Sequence, residues 1–487
     1  MSRGALNNER RFTARDQQTF AELSGDYNPM HLDPVAARRT LFGRGLVHGI
    51  HAALWGLDAA MEDGDGDVSL TSMLAAFPSP IGVDEPVRVS RTSAGDEVEV
   101  ALEVRGATAA WVRFGLSARL DPGRGLPPDG LPERRPCRDT VPDELPERSG
   151  CLPLHLDRAR AASLFPALSR RLDPIQLAQI LATTRLVGME CPGLRSVFSE
   201  LRAAFSGPTA DEGLSYRVNR WYPALSLVSI DLQGAGMTGS LKAFVRPAPR
   251  LQPPMRELAG LVRPGEFAGQ RALVIGGSRG LGEVTAKLLA AGGASVVLTY
   301  RSGAAEAERI VRDIVGGGGE SSCAPWDVLS PGEPPAMPPG WSPTHLYYFA
   351  TPHIATGVPG RFSAELFDTF RAYYVAGLLN SVAAVERGGD LRAVFCPSSI
   401  YVEAPPQNLA EYAAAKSEAE SAARQLATTH PGWIVDAPRL PRLATDQTAT
   451  LLRVPSEEPA PILLRHLRAF QERCRAARQV PPGGTIV

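Results

Sequence analysis

Apolar and polar positions along the chain follow two rhythms. In "TARDQQTFAELSG" (Thr13–Gly25) the apolar residues keep helical spacing. Thr13 and Asp16 suit a capping box, and Gly25 suits the helix end. "VHGIHAALWGLDAAME" is apolar nearly all round, which predicts a buried helix. The period then falls to two. "VRVSRT", "DEVEVALEVRG" and "AAWVRFGLSARL" read as strands, and "EVEVALEV" suits an antiparallel strand with one wet face. A buried helix wrapped by an antiparallel sheet is the predicted architecture. The same order returns in "DPIQLAQILATTRLVGME", a helix, followed by strand-like "SVFSELRAAF", "LSYRVNRW", "LSLVSIDLQG" and "GSLKAFVRP". From "RALVIGG" onward, strands and helices take turns, which predicts a parallel sheet with both faces covered. "SEEPAPILLRHLRAFQERCRAA" reads as a closing helix.

Two stretches rich in proline, glycine and charge, Leu120–Gly150 and Val245–Gln270, interrupt these rhythms. They suggest three parts: 1–125, 126–255 (linker plus second repeat) and 256–487. A length of 487 residues fits two to four domains. Apolar content of 44 %, charged content of 21 % and a formal charge of −1 suit a soluble protein, and argue against nucleic acid or an anionic membrane as partner. No apolar run reaches the ~18 residues of a membrane span. "MSRGALNNERRF" lacks the apolar core of a signal peptide. The six cysteines are scattered, without CxxC or metal-ligand spacing, which fits free thiols in a reducing compartment. A cytoplasmic protein without a metal centre is expected.

"SGDYNPMHLD" (Ser24–Asp33) crowds Asp26, His31 and Asp33 around Asn28-Pro29. Asn-Pro favours a turn, which can fold Asp26 and His31 towards each other. A carboxylate and an imidazole sharing one water form an acid/base pair. "VHG" (Val47–Gly49) opens the buried helix, where free N–H groups can polarise a thioester carbonyl. His48 and His51 read as structural. The stretch "FTARDQQTFAELSGDYNPMHLDPVAARRTLFGRGLVHG" resembles the MaoC-type (R)-specific enoyl hydratases/dehydratases of the hotdog fold, with the D-x-N-P-x-H signature intact as Asp26, Asn28, Pro29 and His31. The resemblance implies Asp26 and His31 as the catalytic pair and the Gly49 amide as oxyanion donor. It also implies addition or removal of water across Cα–Cβ of a 3-hydroxyacyl thioester. The second part lacks an Asp-loop-His and reads as a non-catalytic hotdog repeat supplying acyl-tunnel walls; an unrelated α+β insert is the alternative. The expected N-terminal fold is an α+β double hotdog.

"ALVIGGSRGLGEV" follows a strand and opens a helix, so Gly276, Gly280 and Gly282 suit a tight turn beside a pyrophosphate. The next strand ends in Tyr300-Arg301-Ser302 rather than an acidic residue. Arg301, with Arg279, can therefore meet a 2′-phosphate, favouring NADP over NAD. Lysine is scarce: of 51 cationic residues only Lys242, Lys287 and Lys416 are lysine. Lys416 therefore suggests a task suited to a compact ammonium with a tunable pKa. It lies four residues after Tyr412, on one helix face, with Ser399 at a strand end upstream. Residues 270–450 thus resemble the short-chain dehydrogenase/reductases and their Ser…Tyr-x-x-x-Lys set. The resemblance implies a Rossmann-type, doubly wound parallel α/β sheet. It assigns Ser399 to the substrate carbonyl, Tyr412 as proton donor, and Lys416 to the nicotinamide ribose and to lowering the Tyr412 pKa. Ser278, Leu281, Asp327, Ala350 and Thr445 join the glycines and both arginines as cofactor contacts. Three departures stand out: Ile275 replaces the usual Thr, "FATP" (Phe349–Pro352) replaces Asn-Asn-Ala-Gly, and Tyr374 stands where a relay Asn is expected. His353 reads as structural.

Together the clusters imply a bifunctional enzyme. An NADPH-dependent 3-oxoacyl-thioester reductase would feed a 3-hydroxyacyl-thioester dehydratase/hydratase, on acyl carrier protein or CoA. A polyketide or fatty-acid-like pathway and a homodimer are expected. Two alternatives remain: a single-activity reductase whose hotdog half binds acyl chains or dimerises, and a degenerate cofactor-binding scaffold.

Overall fold

The computed structural model describes residues 3–4, 9–94, 97–118, 127–206, 213–330, 332, 334–354, 357–451 and 454–479. Two compact units emerge: Met1–Ala248 with Thr450–Arg453, and Pro249–Ala449 with Val454–Val487. Among the described residues no helix is long and apolar enough to cross a membrane.

The first unit is built on one 11-stranded antiparallel sheet. Its strands are β1 (Arg3–Gly4), β2 (Glu9–Arg11), β3 (Val68–Ala76), β4 (Pro86–Ala94), β5 (Glu97–Val104), β6 (Ala107–Ala118), β7 (Ser149–Pro153), β8 (Ser196–Phe205), β9 (Gly213–Tyr222), β10 (Leu227–Gly234) and β11 (Met237–Val245). They run in the order β1-β4-β5-β6-β3-β8-β11-β10-β9-β7, with β2 also on β4. The two apolar helices form as their patterns predict, at Gly49–Met61 and Pro174–Arg185, and a π turn, Leu186–Glu190, extends the second. Both sit in one continuous hydrophobic core that draws on both halves of the sheet. The join is β3 against β8, from Ser72 opposite Ala204 to Ala76 opposite Glu200. This strand escaped the sequence reading because Ser69, Thr71 and Ser72 blur its apolar alternation.

Local signals set the chain's entry into the site. The capping box forms: the Asp16 amide donates to Thr13 Oγ1 (3.1 Å), and the Thr13 amide to Asp16 Oδ2 (2.8 Å). Gly25 ends that helix with φ +77°, a conformation that favours glycine. The predicted linker Leu120–Gly150 is not a free spacer where it is described. The Arg138 amide donates to the Met189 carbonyl (2.9 Å), Leu194 donates to the Arg138 carbonyl (2.7 Å), and Leu145 is fully buried. Residues 120–126 of that stretch lie outside the described residues.

The second unit holds a six-stranded parallel sheet. Its strands are β12 (Arg271–Ile275), β13 (Ser295–Tyr300), β14 (Glu320–Pro325), β15 (His345–Tyr348), β16 (Ala393–Phe395) and β18 (Ile434–Asp436), with β17 (Ser398–Ser399) and β19 (Arg439–Leu440) as a separate parallel pair. The order β14-β13-β12-β15-β16-β18 reverses direction between β12 and β15, and ligands of such sheets bind at that reversal. The predicted closing helix spans Pro459–Gln479.

A buried cation ties the start of this unit to its helices. Lys287 is fully buried, and Nζ donates to the Pro253 carbonyl (2.9 Å), Glu283 Oε1 (2.8 Å) and Asp313 Oδ2 (2.8 Å). Three acceptors match the three N–H bonds of an ammonium. The Met255 amide also donates to Asp313 Oδ2 (3.1 Å), so residues 253–255 are pinned rather than loose. Lys287→Met would leave the buried Glu283 carboxylate to Arg309 alone, whose Nη2 lies 3.2 Å from Oε1. It should cost the second unit about 3–5 kcal/mol, read as a lower urea midpoint. Lys287→Arg should not restore it, because a planar fork cannot meet three convergent acceptors. A wild-type midpoint in Lys287→Met would contradict this role.

Candidate active sites

In the first unit, Asp26 follows Gly25 and the Asn28-Pro29 turn carries His31 back beside it. Asn28 anchors the turn: its Oδ1 accepts from the Met30 amide (3.1 Å), and its Nδ2 donates to the carbonyls of Gly188 (3.1 Å) and Gly193 (3.3 Å). Asp26 is buried, its Oδ1 accepting from the Asn28 amide (3.2 Å) and its Oδ2 from Thr184 Oγ1 (2.7 Å). Thr184 belongs to the second half of the sheet unit. So does Gly188 in the π turn, where a Cβ would lie 2.0 Å from Asp26 Oδ1. Only a bare backbone leaves room for the carboxylate.

His31 Nδ1 lies 2.8 Å from the Leu46 carbonyl. A carbonyl only accepts, so Nδ1 carries the hydrogen and Nε2 keeps the lone pair. The His31 ring stacks on His48, with centroids 3.7 Å apart. His48 sits at the start of the Gly49–Met61 helix, its Nε2 3.0 Å from the Asp26 carbonyl and its Nδ1 2.9 Å from Gln17 Oε1. Asp26, His31 and His48 bring ligand-capable atoms within 4.8 Å of one another, but both His48 nitrogens are engaged inside the protein. Burial governs the charges. It pushes the Asp26 carboxyl up to about 6, against the Thr184 and Asn28 hydrogen bonds, and pushes His31 down to about 4.

Asp26, His31 and Gly49 line one cavity of ≈ 150 Å³. Its apolar walls come from both halves: Met30, Phe77 and Ile81 from the first, Val187, Phe198 and Phe244 from the second. Gly49 begins the helix, so its amide is one of the first-turn N–H groups without an intrahelical acceptor. Sequence reading missed Thr184 and Gly188, which approach from about 160 residues away. Gln17 left a trace: a polar side chain on the apolar face of its helix, fully buried here.

In the second unit the glycine turn stands between β12 and the helix Gly280–Ala291. Gly276 and Gly280 have φ of +74° and +57°. A Cβ on Gly282 would lie 2.3 Å from the Gly276 carbonyl oxygen, and one on Gly276 would lie 2.9 Å from the Ala350 amide nitrogen. The turn thus packs against the loop after β15. Beside Gly280 the nearest atom to an added Cβ is Thr445 Cγ2 at 3.8 Å, so the helix start keeps room for a phosphate. That cradle fits a dinucleotide. Ser278 is buried in the turn and Leu281 packs against the unit's core. Asp327 follows β14, its Oδ1 accepting from the Leu329 amide (3.0 Å). Both arginines have protein partners: Arg301 donates to the Tyr373 hydroxyl, and Arg279 lies 3.9 Å from Asp446 Oδ2.

Ser399 ends β17 and its Oγ accepts from the Tyr401 amide (3.2 Å). Tyr412 and Lys416 share the helix Ala410–Thr429. Burial pushes the Tyr412 phenol up to about 12, with the Ser399 hydroxyl pulling the other way. It also pushes the Lys416 ammonium down to about 8. Lys416 was expected to depress the Tyr412 phenol, but its Nζ instead donates to the Pro397 carbonyl (2.8 Å) and lies 4.0 Å from the centre of the Tyr374 ring.

Residues 4–108 match the family model "MaoC like domain". An (R)-specific enoyl-CoA hydratase from Aeromonas caviae is 39 % identical over 97 residues, covering 20 % of this chain and 63 % of that protein. A 3-hydroxybutyryl-CoA dehydratase from Methylorubrum extorquens is 35 % identical over 100 residues, covering 20 % of this chain and 55 % of that protein. The chain therefore spans less than two thirds of the length of either relative. Among solved structures, an angucycline C-6 ketoreductase with bound NADP is 20 % identical, covers 44 % of this chain and 93 % of its own, and superposes with a TM-score of 0.38. Residues 4–108 are thus similar to MaoC like domains, and the same polypeptide continues into a unit with a six-stranded parallel sheet and a glycine turn between β12 and the helix that follows it.

Proposed function

We propose that this chain is a bifunctional enzyme: its second unit reduces 3-oxoacyl thioesters with NADPH, and its first removes water from 3-hydroxyacyl thioesters or adds it to enoyl thioesters. The observation that carries this reading is the Asp26 carboxyl and the neutral His31 lining one apolar cavity with Gly49. The names of the hydratase and dehydratase relatives support it for the first unit. We read that unit as a double hotdog, catalytic in its first repeat, and the substrate as bound to CoA or acyl carrier protein in polyketide or fatty-acid-like biosynthesis. A cytoplasmic homodimer completes the reading.

In dehydration, His31 Nε2 takes the Cα proton, Asp26 in its protonated form gives its proton to the departing β-hydroxyl, and water leaves. The Gly49 amide hydrogen-bonds the thioester carbonyl as negative charge gathers there. Hydration runs the same transfers backwards. In the second unit, the glycine turn with Ser278 and Leu281 would seat the pyrophosphate of NADPH. Arg279 and Arg301 would take the 2′-phosphate, Asp327 the adenine end, Ala350 and Thr445 the nicotinamide side, and Lys416 its ribose. NADPH, when bound, supplies a hydride. A phenol held near 12 keeps its proton at neutral pH, so Tyr412 can give that proton to the carbonyl oxygen while Ser399 hydrogen-bonds the same oxygen.

Enzyme, NADPH and a panel of 3-oxoacyl thioesters should yield an enoyl product by mass spectrometry. Tyr412→Phe should slow NADPH oxidation by about 100-fold or more. Asp26→Asn should leave that oxidation intact and accumulate the 3-hydroxyacyl thioester. If Asp26→Asn and His31→Ala both leave the products unchanged, the first unit is an acyl-binding module instead.

Asp26 and His31 together hold one proton between about pH 4 and about pH 6. Dehydration needs that state, so its rate should fall above about 6, as Asp26 loses its proton, and below about 4, as His31 gains one. A profile still climbing between pH 6 and 8 would refute the assignment. Thr184→Val removes a hydrogen bond that lowers the Asp26 pKa, so it should move the upper limb to higher pH. Gly188→Ala should lower dehydration by about 100-fold or more while NADPH oxidation persists.

A further inference from the structure

Tyr374 stands where an amide was expected, and its surroundings give it a different task. It lies in the π turn Ala372–Ala376, between the helices Ala364–Arg371 and Gly377–Glu386. Such turns insert one residue and re-aim the side chains they carry. The Tyr374 ring is buried, stacked on Phe370 (5.9 Å between centroids) and edge-on to Tyr412 (5.8 Å). Its hydroxyl is 2.6 Å from Thr351 Oγ1, in the same "FATP" segment that replaces the usual sequence. One ring face lies under the Lys416 ammonium, 4.0 Å from Nζ to the ring centre.

A cation at that range is drawn to the ring's negative face, most strongly where water is excluded. The other groups facing Lys416 are accounted for. Glu420, on the same helix, already receives both Arg439 and the Ser398 hydroxyl. Cys396, just after β16, has a thiol that burial pushes up to about 12, so it is neutral at physiological pH. Pro397 contributes a carbonyl. The Tyr374 ring is thus the large polarisable surface against this ammonium.

We propose that Tyr374 is a positioning residue whose aromatic face, held by stacking on Phe370, holds the Lys416 ammonium next to Tyr412. The proposal rests on reading the second unit as a reductase, but its test does not depend on activity. Only three lysines occur in the chain, so protein labelled with [13Cε]lysine gives three side-chain signals, and Lys416→Arg identifies the one of interest. Titration by NMR should show Tyr374→Phe keeping the wild-type midpoint. Ring-fluorinated phenylalanines at position 374 keep the shape and weaken the ring's negative face. They should lower the midpoint stepwise, by about half a unit to one and a half units in all. Tyr374→Leu should lower it similarly, and the alkaline limb of NADPH oxidation should move with it. A midpoint indifferent to fluorination, or one that rises, overturns the proposal. A falling midpoint in a protein that oxidises no NADPH upholds the ring contact and rejects the reductase reading instead.

Discussion

The Asp26 carboxylate is held from across the sheet. Its own turn supplies one backbone amide, but the hydroxyl that steadies its second oxygen and the bare backbone that leaves it room come from Thr184 and Gly188. A buried carboxylate with few donors drifts towards its neutral form. Here the balance of burial against two hydrogen bonds leaves it near 6, the range in which a carboxyl can both give and take a proton. Among the described residues, the Asp and His that line the cavity both belong to the first half. The second half nevertheless supplies the Thr184 hydroxyl that works against burial at Asp26, and part of the cavity wall.

The second unit solves a similar problem with a cation. This chain uses arginine almost everywhere, and two of its three lysines are placed where a guanidinium would not fit. Lys287 meets three convergent acceptors, and Lys416 meets a carbonyl and a ring face. A compact tetrahedral ammonium can satisfy either set, whereas a planar fork would have to displace the packing. The scarcity that singles out Lys416 in the sequence therefore marks Lys287 as well, although the latter's task is to hold the chain rather than a ligand.

Short-range chemistry was legible before any coordinates. The capping box, the glycine stop, the two buried helices, the alternating strands around them and the strand–turn–helix of the glycine loop all depend on neighbours within a few residues. Asp26 and His31 could be paired because a single turn separates them, and Tyr412 and Lys416 because one helix turn does. What stayed hidden is long-range or blurred. Strand β3 carries too many hydroxyls to alternate cleanly, yet it lies at the centre of the sheet. Thr184 and Gly188 look ordinary in sequence, because their importance arises only when the halves close. The proline-rich Leu120–Gly150 stretch reads as a spacer by composition, yet Arg138 and Leu145 hold part of it against the second half. The partners of Arg279, Arg301 and Lys416 likewise depend on side-chain placement that composition cannot encode.

The pairing of β3 with β8 has one more implication. The span that matches the family model stops at residue 108, within β6, whereas the sheet and its core run on to β11. The unit of kinship is thus smaller than the unit of folding. A piece trimmed to that span would end two residues into β6, bare both flanks of β3 and lose the far wall of the Asp26–His31 cavity. Anyone dissecting this polypeptide by homology alone would cut through the seam that closes this cavity.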